Sequence, residues 1–227
     1  YYKKKYNKKI KKTVIENIFG SDILDYNVNR AKLILSIYAL QHDEILEDKD
    51  FNIYHQDSLK IKWNTKFEII VGNPPYVKYQ DLPDESRDDL IKNWKSVRNG
   101  AFNLYFAFFE LGHSVLTKDG KLGYITPNNY LTSLAGLSLR EYFSHKKCLT
   151  RIIDFRHKKV FDAQTYTAIS FINKKENEVI IYDKIKDNQT CNDFLTSVGG
   201  FPNYINSLNN KKWRLLTTEE QNNIKII

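Results

Sequence analysis

The stretch Ile69-Ile70-Val71-Gly72-Asn73-Pro74-Pro75-Tyr76 constrains this chain more than any other. Ile and Val suit a pleated surface and no charge interrupts the run, so it reads as a buried strand. Neither proline has an N–H to give a sheet ladder, so the strand must stop at Asn73. A stiff corner then presents the Asn73 amide and the Tyr76 ring at the strand's carboxyl end. In open α/β sheets, that is the edge where ligands bind.

The flanking sequence supplies more elements of the same kind. Tyr2, Tyr6 and Ile10 fall on one helical face within the Lys-rich run 1–12, which reads as a solvated amphipathic helix or a DNA-contacting arm. Residues 15–23 read as a strand ending near Asp22. From Asn27, a residue suited to capping, Ala31, Ile34, Leu35, Tyr38 and Ala39 recur at helical spacing. Phe51 to His55 is a second strand, followed by Gln56-Asp57-Ser58, and Phe67 to Val71 leads to the corner. Pro83 marks a helix start in the polar segment 81–95, and residues 103–117 form a strongly apolar helix.

Asp119-Gly120 signals a turn over 118–121. Leu122 to Pro127 is a strand, 134–145 a helix and 149–155 a strand. Tyr166 to Ile172 and Val179 to Tyr182, joined by the polar segment 173–178, read as a hairpin. Strand–helix alternation over the first 150 residues predicts an α/β fold, its sheet mostly parallel with an antiparallel edge hairpin. After Asp183 the composition shifts to Asn, Gln, Ser, Gly and Lys around Trp213, which places a boundary near residue 185.

The 227 residues suffice for a sizeable core, and 41% apolar with 27% charged residues is ordinary for a globular chain. No run is long and apolar enough to span a membrane. Cys148 and Cys191 are too few for a disulfide framework or a zinc site, and read as plain thiols. A net charge of +8 suits a polyanionic partner, though only modestly. A chain without methionine, whose first residue lies inside a helical pattern, reads as a piece of a longer protein.

Asn73-Pro74-Pro75-Tyr76 after an apolar strand resembles the catalytic motif of S-adenosylmethionine-dependent amino-methyltransferases, and above all of the N6-adenine DNA methyltransferases of restriction–modification systems. The resemblance covers roughly residues 13–185 and implies a Rossmann-like sheet. It implies S-adenosylmethionine as cofactor, double-stranded DNA as partner, and a prokaryotic, cytoplasmic, nucleoid-associated setting. On this likeness residues 1–185 are a partial catalytic domain, and 186–227 a linker into a target-recognition region.

The chemistry fits the corner. An adenine amine is a poor nucleophile because its lone pair is delocalised into the ring. Two acceptors holding its hydrogens, the Asn73 side-chain oxygen and the Pro74 carbonyl fixed by Pro75, would favour the pyramidal form that attacks. Tyr76 would stack on a base that has left the duplex. Asp22 resembles the family's acid that binds the cofactor's ribose diol, with Ile23 beside it. Asp57, with Ser58 and Leu59, resembles the segment that takes the cofactor's adenine, and Asn73 lies next to the reacting methyl. Alone, either acid reads more readily as a cap or turn residue; in this order with the corner, the cofactor reading prevails.

Asn103-Leu104-Tyr105 and Gly123 to Asn128 look like later motifs of this group. Val160-Phe161-Asp162-Ala163, followed by Thr165 to Ile169, looks like its second base-stacking region. Phe161 and Tyr166 are therefore candidates for the other side of the base, with core packing as the alternative. Arg156, His157, Lys158 and Lys159 suit phosphate contacts or a solvated loop.

The family's Gly-rich loop, which cradles the cofactor's methionine part, has no counterpart in these residues. An upstream segment with the sheet's first strand is therefore expected, as are downstream segments that read DNA sequence. The competing functions are N4-cytosine or protein-glutamine amide methylation, or an inert fragment that only binds DNA.

Overall fold

The structure, a computed structural model, describes residues 9–161, 166–217 and 220–221. The chain divides into two compact units, Tyr1–Trp63 and Asn64–Ile227.

The first unit runs α1 (Ile10–Asn17), β1 (Phe19–Asp22), α2 (Asp25–Leu40) and β2 (Asn52–His55). Ile15 to Asn17, expected in a strand, belong to α1. Val14 is buried with Ile10 and Ala39, and Ile18, Leu35 and Phe51 pack against them, so a helical stripe and not alternation organises this stretch. Residues 1–8, where the Lys-rich helix was expected to begin, lie outside the described residues. β1 and β2 pair in parallel, with Asp22 opposite His55.

The second unit holds a six-stranded sheet of order β3-β4-β6-β5-β7-β8. These strands are β3 (Phe67–Gly72), β4 (Leu116–Pro127), β5 (Leu149–Asp154), β6 (Thr167–Asn173), β7 (Val179–Lys184) and β8 (Phe201–Tyr204). β3, β4, β5 and β7 run one way, while β6 and β8 run the other. Its helices are α3 (Asp84–Asn93), α4 (Tyr105–Val115), α5 (Leu137–Lys146) and the short α6 (Cys191–Thr196).

Three expectations need correction. β6 and β7 are not a hairpin, because β5 lies between them. β6 is antiparallel to both β4 and β5, with Ala168, Ser170 and Ile172 buried in the sheet's interior. The antiparallel edge comes from β8, which pairs with β7. The strand before the corner is not buried either: β3 is the sheet edge, and Ile69 and Val71 are 71% and 77% exposed. The Asp119-Gly120 turn is absorbed into β4, whose pairing jumps from Leu116 opposite Phe67 to Lys121 opposite Ile69. Gly120 suits that jump, since a Cβ there would lie 2.7 Å from the Phe67 carbonyl oxygen.

The compact unit also runs past residue 185. β8 extends the sheet, and Trp213 is 1% exposed against Phe143, its backbone N–H donating to the Leu131 carbonyl at 2.8 Å. Arg140, fully buried, donates to the carbonyls of Tyr130, Ser133, Asn210 and Lys211 and so clasps this tail to α5. The break in packing therefore falls at 63/64, where the composition changes little. Under the corner Tyr105, Phe106, Phe109, Tyr130 and Phe143 form an aromatic core, mostly in edge-to-face pairs.

Candidate functional site

The corner is built as the prolines demand. β3 ends at Gly72, Asn73 and Pro75 are exposed, and Pro74 is buried. Tyr76 is half-buried, and its single hydroxyl proton is shared between the Asn73 side-chain oxygen and the Ile125 carbonyl, the latter at 3.1 Å. Burial pushes this phenol above its usual range. The ring packs edge-on against Tyr105 at 6.1 Å. The Asn73 oxygen thus already has one donor, and a carbonyl oxygen keeps capacity for a second.

The residues after the corner are stapled from a distance. Leu104 N–H donates to the Val77 carbonyl and Tyr79 N–H to the Phe102 carbonyl, both at 2.8 Å. Arg87 stacks on the Tyr79 ring at 4.8 Å and donates to the carbonyls of Tyr79 and Gln80. Tyr105, fully buried, donates to the Pro127 carbonyl and the Asn129 side chain, joining α4 to the end of β4. Arg87 had no signal in the sequence, since an Arg in a polar helix reads as solvated.

In the first unit, the strand ends bring the two expected acids to one edge. Asp22 accepts from Leu24 N–H at 2.8 Å and from the Asn27 amide at 3.0 Å. Asn27 is therefore not the cap of α2, which begins at Asp25 after Leu24. Asp57 accepts from Leu59 N–H at 2.9 Å, and its other oxygen has no donor among the described residues. Ser21 and Ser58 hydroxyls meet at 2.5 Å, and His55 Nε2 lies 3.1 Å from the Ile23 carbonyl. These bonds tie Ile23, Ser58 and Leu59 to the same end of the ladder. A pocket of about 460 Å³ opens beside β1, lined by Gly20, Asp22, Asn27, Val28, Ala31 and Ile53 among others. Asp57, Ser58 and Leu59 lie outside its lining.

Of the base-stacking candidates, Phe161 and Tyr166 are 39% and 61% exposed, so neither is core. Asp162, Ala163 and Thr165 of that motif lie outside the described residues. The basic run is largely spoken for. Arg156 and Lys158 bind the Asp187 carboxylate and carbonyl at 3.0 and 2.7 Å, and His157 lies 3.9 Å from the same carboxylate. Lys159 is exposed. No group of three or more His, Cys, Asp or Glu side chains is arranged to hold a metal among the described residues.

Residues 2–161 match the Eco57I restriction-modification methylase family. The type II restriction enzyme and methyltransferase RM.Eco57I of Escherichia coli is 31% identical over 217 residues, covering 82% of this chain and 21% of that protein. The chain thus spans about a fifth of that relative's length. Among solved structures, the methyltransferase subunit of a type I restriction–modification system from Streptococcus thermophilus superposes with a TM-score of 0.58 at 18% identity, over 79% of this chain and 41% of that one. The DrdV protein, solved in complex with DNA, superposes with a TM-score of 0.69 at 13% identity, over 92% of this chain and 26% of that one. The fold is the Rossmann-like methyltransferase sheet.

Proposed function

Because the chain belongs to the Eco57I restriction-modification methylase family, we propose that it is the catalytic portion of a DNA methyltransferase that acts on the N6 amine of an adenine turned out of the duplex. The observation that carries this is the corner at the carboxyl end of β3. It offers an exposed Asn73 and the Pro74 carbonyl next to a half-buried tyrosine braced by Ile125 and Tyr105.

S-adenosylmethionine, when bound, would supply an electrophilic methyl group whose bond to sulfur breaks as the new bond forms, leaving a neutral thioether. The first unit's residues suit it: each Asp22 oxygen has one donor and room for a hydroxyl of a diol, and one Asp57 oxygen is free to accept from an amine. Ile23, Ser58 and Leu59 would flank it. Asn73 Oδ1 and the Pro74 carbonyl would each accept a hydrogen of the adenine amine, so that its lone pair leaves the ring plane as the N–C bond forms. The acidified proton then passes to water. Tyr76 must exchange its bond to Asn73 for a place on the base face, with Phe161 or Tyr166 opposite.

The rest of the site we assign to chain outside this sequence. An upstream strand along the exposed Ile69–Val71 edge would complete the sheet, and a downstream segment would read the DNA. Tritium transfer from labelled cofactor to adenine in unmethylated duplex, by the full-length protein, tests the reading. Asn73→Ala should abolish transfer and keep DNA binding; transfer that survives would remove the corner from catalysis, and no transfer to duplex by the unaltered protein would overturn the proposal. Label recovered on cytosine N4 or on protein glutamine would move the assignment to those amines.

A further inference from the structure

Asp154 ends β5 and is 5% exposed, yet no cation pairs with it among the described residues. Its carboxylate accepts three hydrogen bonds, each at 2.8 Å: from the Asn128 side chain, from Arg156 N–H and from the Tyr182 hydroxyl. A buried carboxylate matched only by neutral donors is a costly way to hold a sheet together. What it joins is therefore informative. Arg156 N–H is the first step of the excursion that leaves β5 and carries Phe161. Asn128, at the end of β4, donates its own N–H to the Tyr166 carbonyl at 2.9 Å, where the chain returns into β6. One carboxylate thus ties both feet of the segment between Asp154 and Thr167, one directly and one through Asn128.

The backbone shows the same emphasis. Arg156 sits at φ 50°, a left-handed conformation that costs a residue bearing a side chain free energy that glycine does not pay. The bond from its N–H to Asp154 offsets that cost. Beside it, Phe155 N–H donates to the Thr167 carbonyl at 2.9 Å, closing the neck of the same excursion.

We infer that Asp154 is a positioning residue: it sets the place of Phe161 and Tyr166 against the target base. The inference rests on the methyltransferase reading above. In the full-length protein, Asp154→Ala should raise the KM for unmethylated phage DNA about tenfold, with the KM for S-adenosylmethionine held within about twofold. Asp154→Asn should recover the duplex KM to within about threefold, because its oxygen still accepts both N–H donors and the Tyr182 hydroxyl can turn to accept. An unchanged duplex KM in Asp154→Ala, or equal rises in both KM values, overturns the inference. If Asp154→Ala does not fold, Asn128→Ala decides: a duplex KM raised about threefold supports the role, and an unchanged one removes it. Asn73→Ala is measured alongside. Transfer surviving there removes the corner from catalysis, and no transfer by the unaltered protein brings down the methyltransferase reading itself, whereas loss of transfer there with a normal duplex KM in the Asp154 variants brings down only this inference.

Discussion

The acids at the end of β1 and β2 are held by donors two to five residues away, whereas the corner at the end of β3 is held from across the second unit. Tyr76 reaches Ile125, Val77 and Tyr79 are stapled to Leu104 and Phe102, and the aromatic core lies beneath. Short-range bonds fix the direction of each carboxylate, while the segments that carry them are joined across the β1–β2 ladder by Gln56 N–H to the Asp22 carbonyl and by Ser21 to Ser58. At the corner, distant partners hold the reacting side chains themselves. The corner is thus preorganised, as a group that must meet a transition state should be, and the acid edge keeps carboxylate oxygens open to a ligand's donors.

Five outcomes would break or sharpen that contrast. The largest is Asn73→Ala, expected to lower methyl transfer by about 10³-fold or more with cofactor affinity unchanged; a residual rate near wild type would mean that the corner is scaffold. Arg140→Ala comes next. It leaves four carbonyls without their buried donor and should cost about 3 kcal/mol in denaturant unfolding of the second unit.

His113 gives a pH signature. It is buried against the Tyr142 hydroxyl at 2.8 Å, and burial, with Lys174 and Lys146 nearby, lowers its pKa from 6.5 to about 4. The folded state favours the neutral ring, so its contribution is complete above pH 6.5 and is lost as pH falls toward 4. On the order of 2 kcal/mol of stability should disappear across that window, and His113→Phe should flatten the profile measured by denaturation. An unchanged slope would show that another group governs it.

Asp22→Ala should weaken S-adenosylmethionine binding about tenfold in titration calorimetry, with little change in duplex affinity; equal losses of both would erase the distinction between the two edges. Arg156→Ala is the smallest. Its pair with Asp187 is exposed, so duplex affinity should change by no more than about threefold and stability by less than about 0.5 kcal/mol.

Local signals in the sequence identified what is locally determined. The prolines announce the corner, and the spacing of Ala31, Leu35 and Ala39 announces α2. Pairing between distant strands leaves no such trace, so β5 between β6 and β7 could not be read from a polar turn that looks like a hairpin. The Ile69–Val71 run looks buried because composition reports what a surface could pack against, not whether it does. The basic run at 156–159 looked free because its partner, Asp187, lies some thirty residues on. Asp154 carries no signal within the strand read over 149–155 for a similar reason: two of its three donors, Asn128 after β4 and Tyr182 in β7, are distant in the chain.

The clasp at Arg140 has a practical consequence. Because the chain returns after β8 to lay residues 210–213 across α5, this tail is fixed on the second unit by the Asn210 and Lys211 carbonyls and a buried tryptophan. A chimera that exchanges recognition segments between relatives should therefore be cut after Leu216. Cutting at the compositional seam near 185 would strip a strand and a clasp from the recipient, and the hybrid would fail as a fold before its specificity could be read.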